Sequence, residues 1–492
     1  MRQAIFCIAF YIIVSQCFGQ SSTLKQLDQI NPPKIALAPL LFLASDELMG
    51  RATERPEINI AARYISEQFR SFGLKELPAT QDFFQIFEIQ FISPANAGSF
   101  TVGNKTFELG KDLLQASGIT ISLIAPVVFV DFGSKEDINK ADVRGKIVVA
   151  NMGENDSTAA ARGFRFREAK QKLLQEKGAV ALIERYRHAT SEWESIKNNF
   201  LQERIAQPQD TMLPVFLVSD INDIIPSLIE SAATAIINVT GNKVRSVRAK
   251  NVMGWVEGSD AKLKNQFVVL SGHYDHIGVA SKPKMEEGKL DSIYNGARDN
   301  AIGATAVIDA ARYFALHPAK RSILFISFTA EEIGLIGSKY FAEHPAISLQ
   351  KLVYNLNIDN ASYNDTTIAT VVGLGRTSAD ADIKRACKAY GLTALPDPAP
   401  EQELFDRSDN VSLAIKGIPA PTFSLGIRKF DETIESRYHQ LSDEVGNFDL
   451  KYAMKIINSF ILAAKNIANN GEQPSWIKGD KYEAAWKDLY HR

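Results

Sequence analysis

Cysteine is nearly missing from the 492 residues: three occur, at positions 7, 17 and 387. The first two fall in an apolar N-terminal stretch, so a chain cleaved after it keeps only Cys387 and forms no intrachain disulfide. Cys387 sits in a helical-looking segment, residues 383–390, and reads as a small buried apolar residue. Net charge is also scarce: 55 Lys and Arg stand against 57 Asp and Glu, a balance of −2. With no basic tract and no basic patch interleaved with aromatics, nothing marks a nucleic-acid surface. After the N-terminus no apolar run approaches the roughly 20 residues that span a bilayer. Internal repeats and low-complexity tracts are missing as well.

What is present suits a large globular protein: 45% hydrophobic and 23% charged residues. The length allows about three domains. Arg2 precedes an apolar run over residues 4–14, and Cys17-Phe18-Gly19 follows. The run is too short to span a membrane. It reads as a signal peptide, residues 1–19, which places the mature protein in the periplasm or outside the cell. The alternatives are a membrane anchor and lipidation at Cys17, where Gln16 fits poorly.

Residues 40–74 read as two helical pieces, with Ala61, Ala62, Ile65, Phe69 and Phe72 at helical spacing. A strand is expected at 83–91. From 101 to 250 the texture changes to short β-rich runs, at 125–131, 146–151, 179–184 and 214–219, around a charged helix-prone stretch at 158–177. From 251 onward apolar strands (267–270, 323–328, 353–358) alternate with helices (301–314, 378–390, 450–468). Helix 301–314 reads as amphipathic, with Ala304, Val307, Ile308, Ala311 and Phe314 on one face. Such alternation implies an α/β fold, a mostly parallel or mixed sheet covered by helices on both faces. Sites in that architecture form at the carboxyl ends of strands. The expected division is 20–100 and 251–470 for one domain, 101–250 for an inserted module, and 471–492 for a C-terminal extension with a short helix.

Ligand-type side chains follow the strands in order. Strand 267–270 runs into His273, Asp275 and His276. Asp299 stands just before a helix, strand 323–328 leads to Glu331 and Glu332, and strand 353–358 leads to Asp359. His439 comes last. Each alone is commonplace: a Glu pair usually starts a solvated helix, Asp before Asn often caps one, and a lone His is usually structural. Their joint occurrence at strand ends points to a metal site. Zinc accepts imidazole nitrogen and carboxylate oxygen. Two zinc ions sharing a carboxylate would use about two His and three acidic ligands. His273, Asp299, Glu332, Asp359 and His439 can supply them, which leaves Glu331 free as a base. His276, His317 and His344 are read as structural.

These motifs resemble the M28 family of zinc peptidases, through His273-x-Asp275, Gly296-Ala297-Arg298-Asp299-Asn300, Glu331-Glu332, Asp359 and His439. The resemblance implies a zinc exopeptidase fold and two zinc ions. One would be held by His273 and Asp359, the other by Glu332 and His439, with Asp299 bridging. It also implies Glu331 as general base, Asp275 orienting His273, and a cis peptide after Asp299. The inserted module is similar to a protease-associated domain, through residues 142–149 and 177–182. Peptides are the implied substrates, and an aminopeptidase is the expected activity. A carboxypeptidase or dipeptidase of the same fold, a one-zinc glutaminyl cyclase and a non-catalytic binding protein are the alternatives. Two positions depart from the family pattern. Arg298 replaces an Asp, and places a cation beside the site or forms an outward salt bridge. Asn410 in Ser408-Asp409-Asn410 stands where a His is usual, and bears on substrate preference.

Overall fold

The computed structural model describes residues 24–155, 166–188, 190–206, 213–286 and 288–491. They form two compact units: one runs to Phe87 and resumes at Ala249, and the other is Glu88–Arg248. The expected signal peptide lies outside the described residues, as do positions 158–165 of the charged stretch. Among the described residues no helix is long and apolar enough to cross a membrane.

The first unit is built on a mixed sheet. Its strands lie in the order Thr393–Leu395, Ile368–Val372, Thr422–Ser424, Leu352–Ile358, Phe267–His273, Ser322–Phe328, Val244–Val256 and Phe84–Ile92. The four central strands, from Thr422–Ser424 to Ser322–Phe328, pair in parallel. Val244–Val256 and Ile368–Val372 pair antiparallel to their inner neighbours.

Every residue of Phe267–His273, Ser322–Phe328 and Leu352–Ile358 is buried. The reason is visible in where alternate side chains go. Val268, Leu270, Ile323 and Phe325 enter one core, while Phe267, Val269, Leu324 and Ile326 enter another. A strand covered on both faces cannot alternate apolar with polar, so it reads as a continuous apolar run.

The helix expected to be amphipathic at 301–314 is Ile302–Leu316, and it is buried all round: every residue from Ile302 to Ala311 is inaccessible. It packs on the sheet, and the helices Ile58–Ser71 and Leu450–Asn469 cover its other side. Its small residues, Gly303, Ala304, Ala306, Ala310 and Ala311, allow that close packing from several directions. The C-terminal segment ends in the helix Glu483–Tyr490, and Trp476 is buried in the second core.

The second unit has an eight-stranded sheet. Ile121–Phe129, Ile147–Asn151, Ala181–Tyr186 and Val215–Ser219 are four of its strands, and Arg167–Glu176 is a helix packed with them. Its buried Glu184 is neutralised by Arg167 at 2.7 Å and Lys170 at 2.9 Å.

Candidate metal centre

Parallel strands deliver their carboxyl ends to one edge of the sheet, and five of the sequence-derived residues meet there with Glu331 and Asp275. His273 ends its strand, Asp359 directly follows Leu352–Ile358, and Glu331 and Glu332 follow Ser322–Phe328 after two residues. Ala330 takes φ +59°, which turns the chain sharply and brings the two glutamates over the strand ends. Asp299 lies in the turn Ala297–Ala301, whose Asp299–Asn300 peptide is cis. His439, with φ +56°, stands in a turn after the helix Glu432–Glu435.

The distances divide the cluster in two. His273 Nε2 is 3.1 Å from Asp359 Oδ1 and 3.3 Å from Asp299 Oδ1. His439 Nε2 is 3.1 Å from both Asp299 Oδ2 and Glu332 Oε2. Asp299 thus turns one oxygen to each imidazole. Glu331 falls in a third grouping, with His273 and Glu332, whose ligand atoms lie within 4.8 Å of one another.

Burial acts against every charge here, and the neighbours decide each outcome. For Glu331, burial together with the charges of Asp359, Glu332 and Asp409 outweighs His273 and raises the pKa well above the carboxylate range. For Asp299, hydrogen bonds from His273 and His439 overcome burial and hold it below that range. Burial would lower both imidazoles. Instead Asp359 and Glu331 lift His273 well above its ordinary value, and Asp299 and Glu332 lift His439 to about 10. Asp275, Asp299, Glu331, Glu332 and Asp359 crowd one largely buried space. Such a set is stable in charged form only with cations among it. Its donors are carboxylate oxygen and imidazole nitrogen, and the residues fit zinc.

The Asp275 carboxylate is 3.7 Å from His273 Nδ1, beyond hydrogen-bond reach. The backbone carbonyl of Asp275 faces that nitrogen instead, at 3.2 Å. The carboxylate accepts the N–H groups of Glu331 at 3.2 Å and Glu332 at 3.4 Å, and the Thr53 hydroxyl at 3.2 Å. Asp275 therefore ties the glutamate turn to the His273 strand end.

Three further residues belong to the site. His276, read as structural from the sequence, has Nδ1 2.6 Å from Glu332 Oε1 and groups with Asp299 and Glu332. Its position three residues after His273 at the same strand end was the available signal. Asp443 is buried and accepts the N–H groups of Arg298 and Asp299 at 3.0 and 3.1 Å. Arg51 is fully buried and donates only to carbonyls: Tyr274 at 2.8 Å, Asn295 at 2.6 Å, Gly296 at 3.1 Å, and Leu43. Burial lowers its pKa to about 10, against the raising effect of Asp275 and Asp299.

Arg298 forms an inward salt bridge, not an outward one. Its Nη1 is 2.8 Å from Asp443, and its guanidinium lies over Phe448. Neither Arg298 nor Asn410 lines the cavity that opens on the cluster; Asn410 is buried and donates to the Ala420 carbonyl at 3.1 Å. The cavity exposes Asp299, Glu331, Asp359 and His439. Val372, Leu404, Thr422, Ser424 and Ile427 form its neutral wall, and Arg407 and Tyr438 also line it.

Residues 251–464 match the family model described as Peptidase family M28. The chain is 23% identical over 235 residues to Aminopeptidase YwaD of Bacillus subtilis, across 47% of each protein. The match therefore spans about half the length of that relative. It is 22% identical over 385 residues to a "probable leucine aminopeptidase 2" of Aspergillus oryzae, across 72% of this chain and 70% of that protein. The fold is similar to that of an aminopeptidase from Aneurinibacillus sp. strain AM-1, with a TM-score of 0.57 and 20% identity, over 91% of this chain and 97% of that one. The cluster at the strand ends lies wholly within residues 251–464, the part of the chain that is similar to peptidase family M28.

Proposed function

We propose that this chain is a two-zinc aminopeptidase, which hydrolyses the bond between an N-terminal residue and the rest of a peptide. The observation that carries the reading is Asp299, with one oxygen toward His273 and the other toward His439, beside Glu331 in an open cavity. His273 and Asp359 would hold one zinc, Glu332 and His439 the other, and Asp299 both. Zinc held there supplies Lewis acidity, which brings the pKa of water toward about 7 and polarises a carbonyl.

The rest of the chemistry belongs to the chain's own residues. Glu331 takes the proton of the attacking water on its carboxylate and delivers it to the leaving amine. Asp275 fixes the Glu331 backbone, and so the distance between the base and the cluster. Glu331, the carboxylate that zinc would leave free in the cavity, favours the ammonium end of a peptide over its carboxylate end. The names of the Bacillus and Aspergillus relatives support the same choice. In this reading residues 1–19 export the chain to the periplasm or beyond the cell, and the 88–248 unit is a protease-associated domain.

The test is a panel of free and N-acetylated peptides on zinc-loaded protein. Free peptides should lose their N-terminal residue, and acetylated ones should persist. Glu331→Gln should retain two zinc ions and lose about 10²–10⁴-fold in kcat. Release of C-terminal residues from acetylated peptides would make the enzyme a carboxypeptidase. Two bound zinc ions with no hydrolysis of any peptide would make it a binding protein.

A further inference from the structure

We propose that Arg407 binds a carboxylate of the substrate, so that the preferred peptides carry a negative charge close to the scissile bond. That charge is either an acidic side chain on the N-terminal residue or the free C-terminus of a dipeptide. The inference rests on the aminopeptidase reading and deepens it.

Arg407 ends the short helix Leu404–Arg407 and lines the same cavity as Glu331, Asp359 and His439. It is the one Arg or Lys in that lining. Among the described residues no carboxylate pairs with it. Its Nη2 donates to the Tyr438 hydroxyl at 3.2 Å and its Nη1 to the Gln402 carbonyl at 3.4 Å, both neutral and both long. A guanidinium has five N–H donors, so most remain for a ligand. The adjacent Asp406 does not neutralise it: Lys481 Nζ lies 2.9 Å from each of its oxygens, and the Tyr482 hydroxyl lies 3.2 Å from one.

The cavity therefore has groups of both charge signs in its lining. With Asp299 and Asp359 assigned to zinc, Glu331 is the acidic group left free, and Arg407 is the cationic one. A peptide with its ammonium end at the cluster, beside Glu331, can set a carboxylate on the guanidinium, and that planar fork matches a carboxylate with two parallel hydrogen bonds. Arg298, the cation that drew notice in the sequence, is unsuited to this role because Asp443 already holds it.

Two substrate pairs separate the sources of charge, each matched in shape: glutamyl against glutaminyl p-nitroanilide, and Leu-Leu against Leu-Leu amide. On zinc-loaded wild-type protein, the charged member of one pair should have the higher kcat/KM, by about tenfold, as expected for a hydrogen bond to a charged group. The difference should lie mainly in KM and shrink in 1 M salt. Arg407→Met should erase the preference, and Arg407→Lys should keep part of it. The pair that responds identifies the carboxylate.

Calorimetric binding of the same pairs to the Glu331→Gln protein, with and without Arg407→Met, needs no turnover. If no substrate is cleaved but the charged member binds about tenfold tighter only with Arg407 present, the aminopeptidase reading fails and the assignment of Arg407 stands. Equal behaviour of charged and neutral members in both pairs overturns the assignment. So does an equal loss of both on Arg407→Met.

Discussion

Arg51 shows how much of the metal centre is held by groups that touch no ligand side chain. Its donors reach the carbonyls on either side of the cluster: Tyr274, next to His273, and Asn295 and Gly296, just before Asp299. One guanidinium thus sets the spacing of the two loops that carry those residues. Arg51→Met would leave several buried carbonyls without partners and should lower folding stability by about 2–4 kcal/mol, measured by urea unfolding of the zinc-free protein. It should also weaken zinc binding in competition with a chelator. Arg51→Lys offers only three donors from one point and should recover a minor part of either loss. Full zinc affinity in Arg51→Met would leave the residue a purely structural part. None of this is legible in the sequence, because the partners are backbone atoms and those at the cluster are more than 200 positions away. The same holds for Asp443, whose value lies in the N–H groups it accepts. His273, Asp299, Glu331, Glu332, Asp359 and His439 are legible because each follows a recognisable strand or turn and carries a side chain of ligand type.

The element that shapes the site most is the turn from Gly296 to Ala301. Gly296 takes φ +56°, and a Cβ there would lie 2.1 Å from the Asp299 carbonyl oxygen and 2.5 Å from the His276 ring. Both neighbours belong to the cluster, so neither can move aside without displacing it. Gly296→Ala should weaken zinc binding by about 10–100-fold, the usual effect of disturbing the partners that orient metal ligands. Zinc content after dialysis against a graded chelator series reads this directly, and wild-type retention would show that the turn tolerates a side chain. Asn300 anchors the far end of the turn: it donates to the Ile358 carbonyl at 2.9 Å and accepts from Asn360 at 2.9 Å. Its chain neighbour Asp299 is thereby referenced to the end of the Asp359 strand. Strands such as Phe267–His273 are readable from sequence because burial on both faces makes them uniformly apolar. The helix Ile302–Leu316 is readable as a helix but not as a buried one, since a one-sided apolar pattern carries no record of the second layer that covers its other side.

At the scale of the whole chain, the residues fitted to zinc all lie in the unit that ends at Phe87 and resumes at Ala249, and Glu88–Arg248 contributes none of them. Removing zinc should therefore act on one unit. Without cations the five carboxylates face one another in a buried space, and that unit also loses the free energy of ligation, about 2.7 kcal/mol for a site held at a hundredfold excess over its Kd. For a unit of this size such a loss moves the melting temperature by roughly 4 °C for each site. Calorimetry of the full chain, with zinc and then with chelator, should show one transition displaced downward and the other fixed, and added zinc should restore the first. A common displacement of both transitions would mean either that zinc also binds within residues 88–248 or that the two units unfold as one. A shift that Glu331→Gln abolishes would remove Glu331 from the role of base, because a residue that only carries protons should leave the zinc-dependent stability intact.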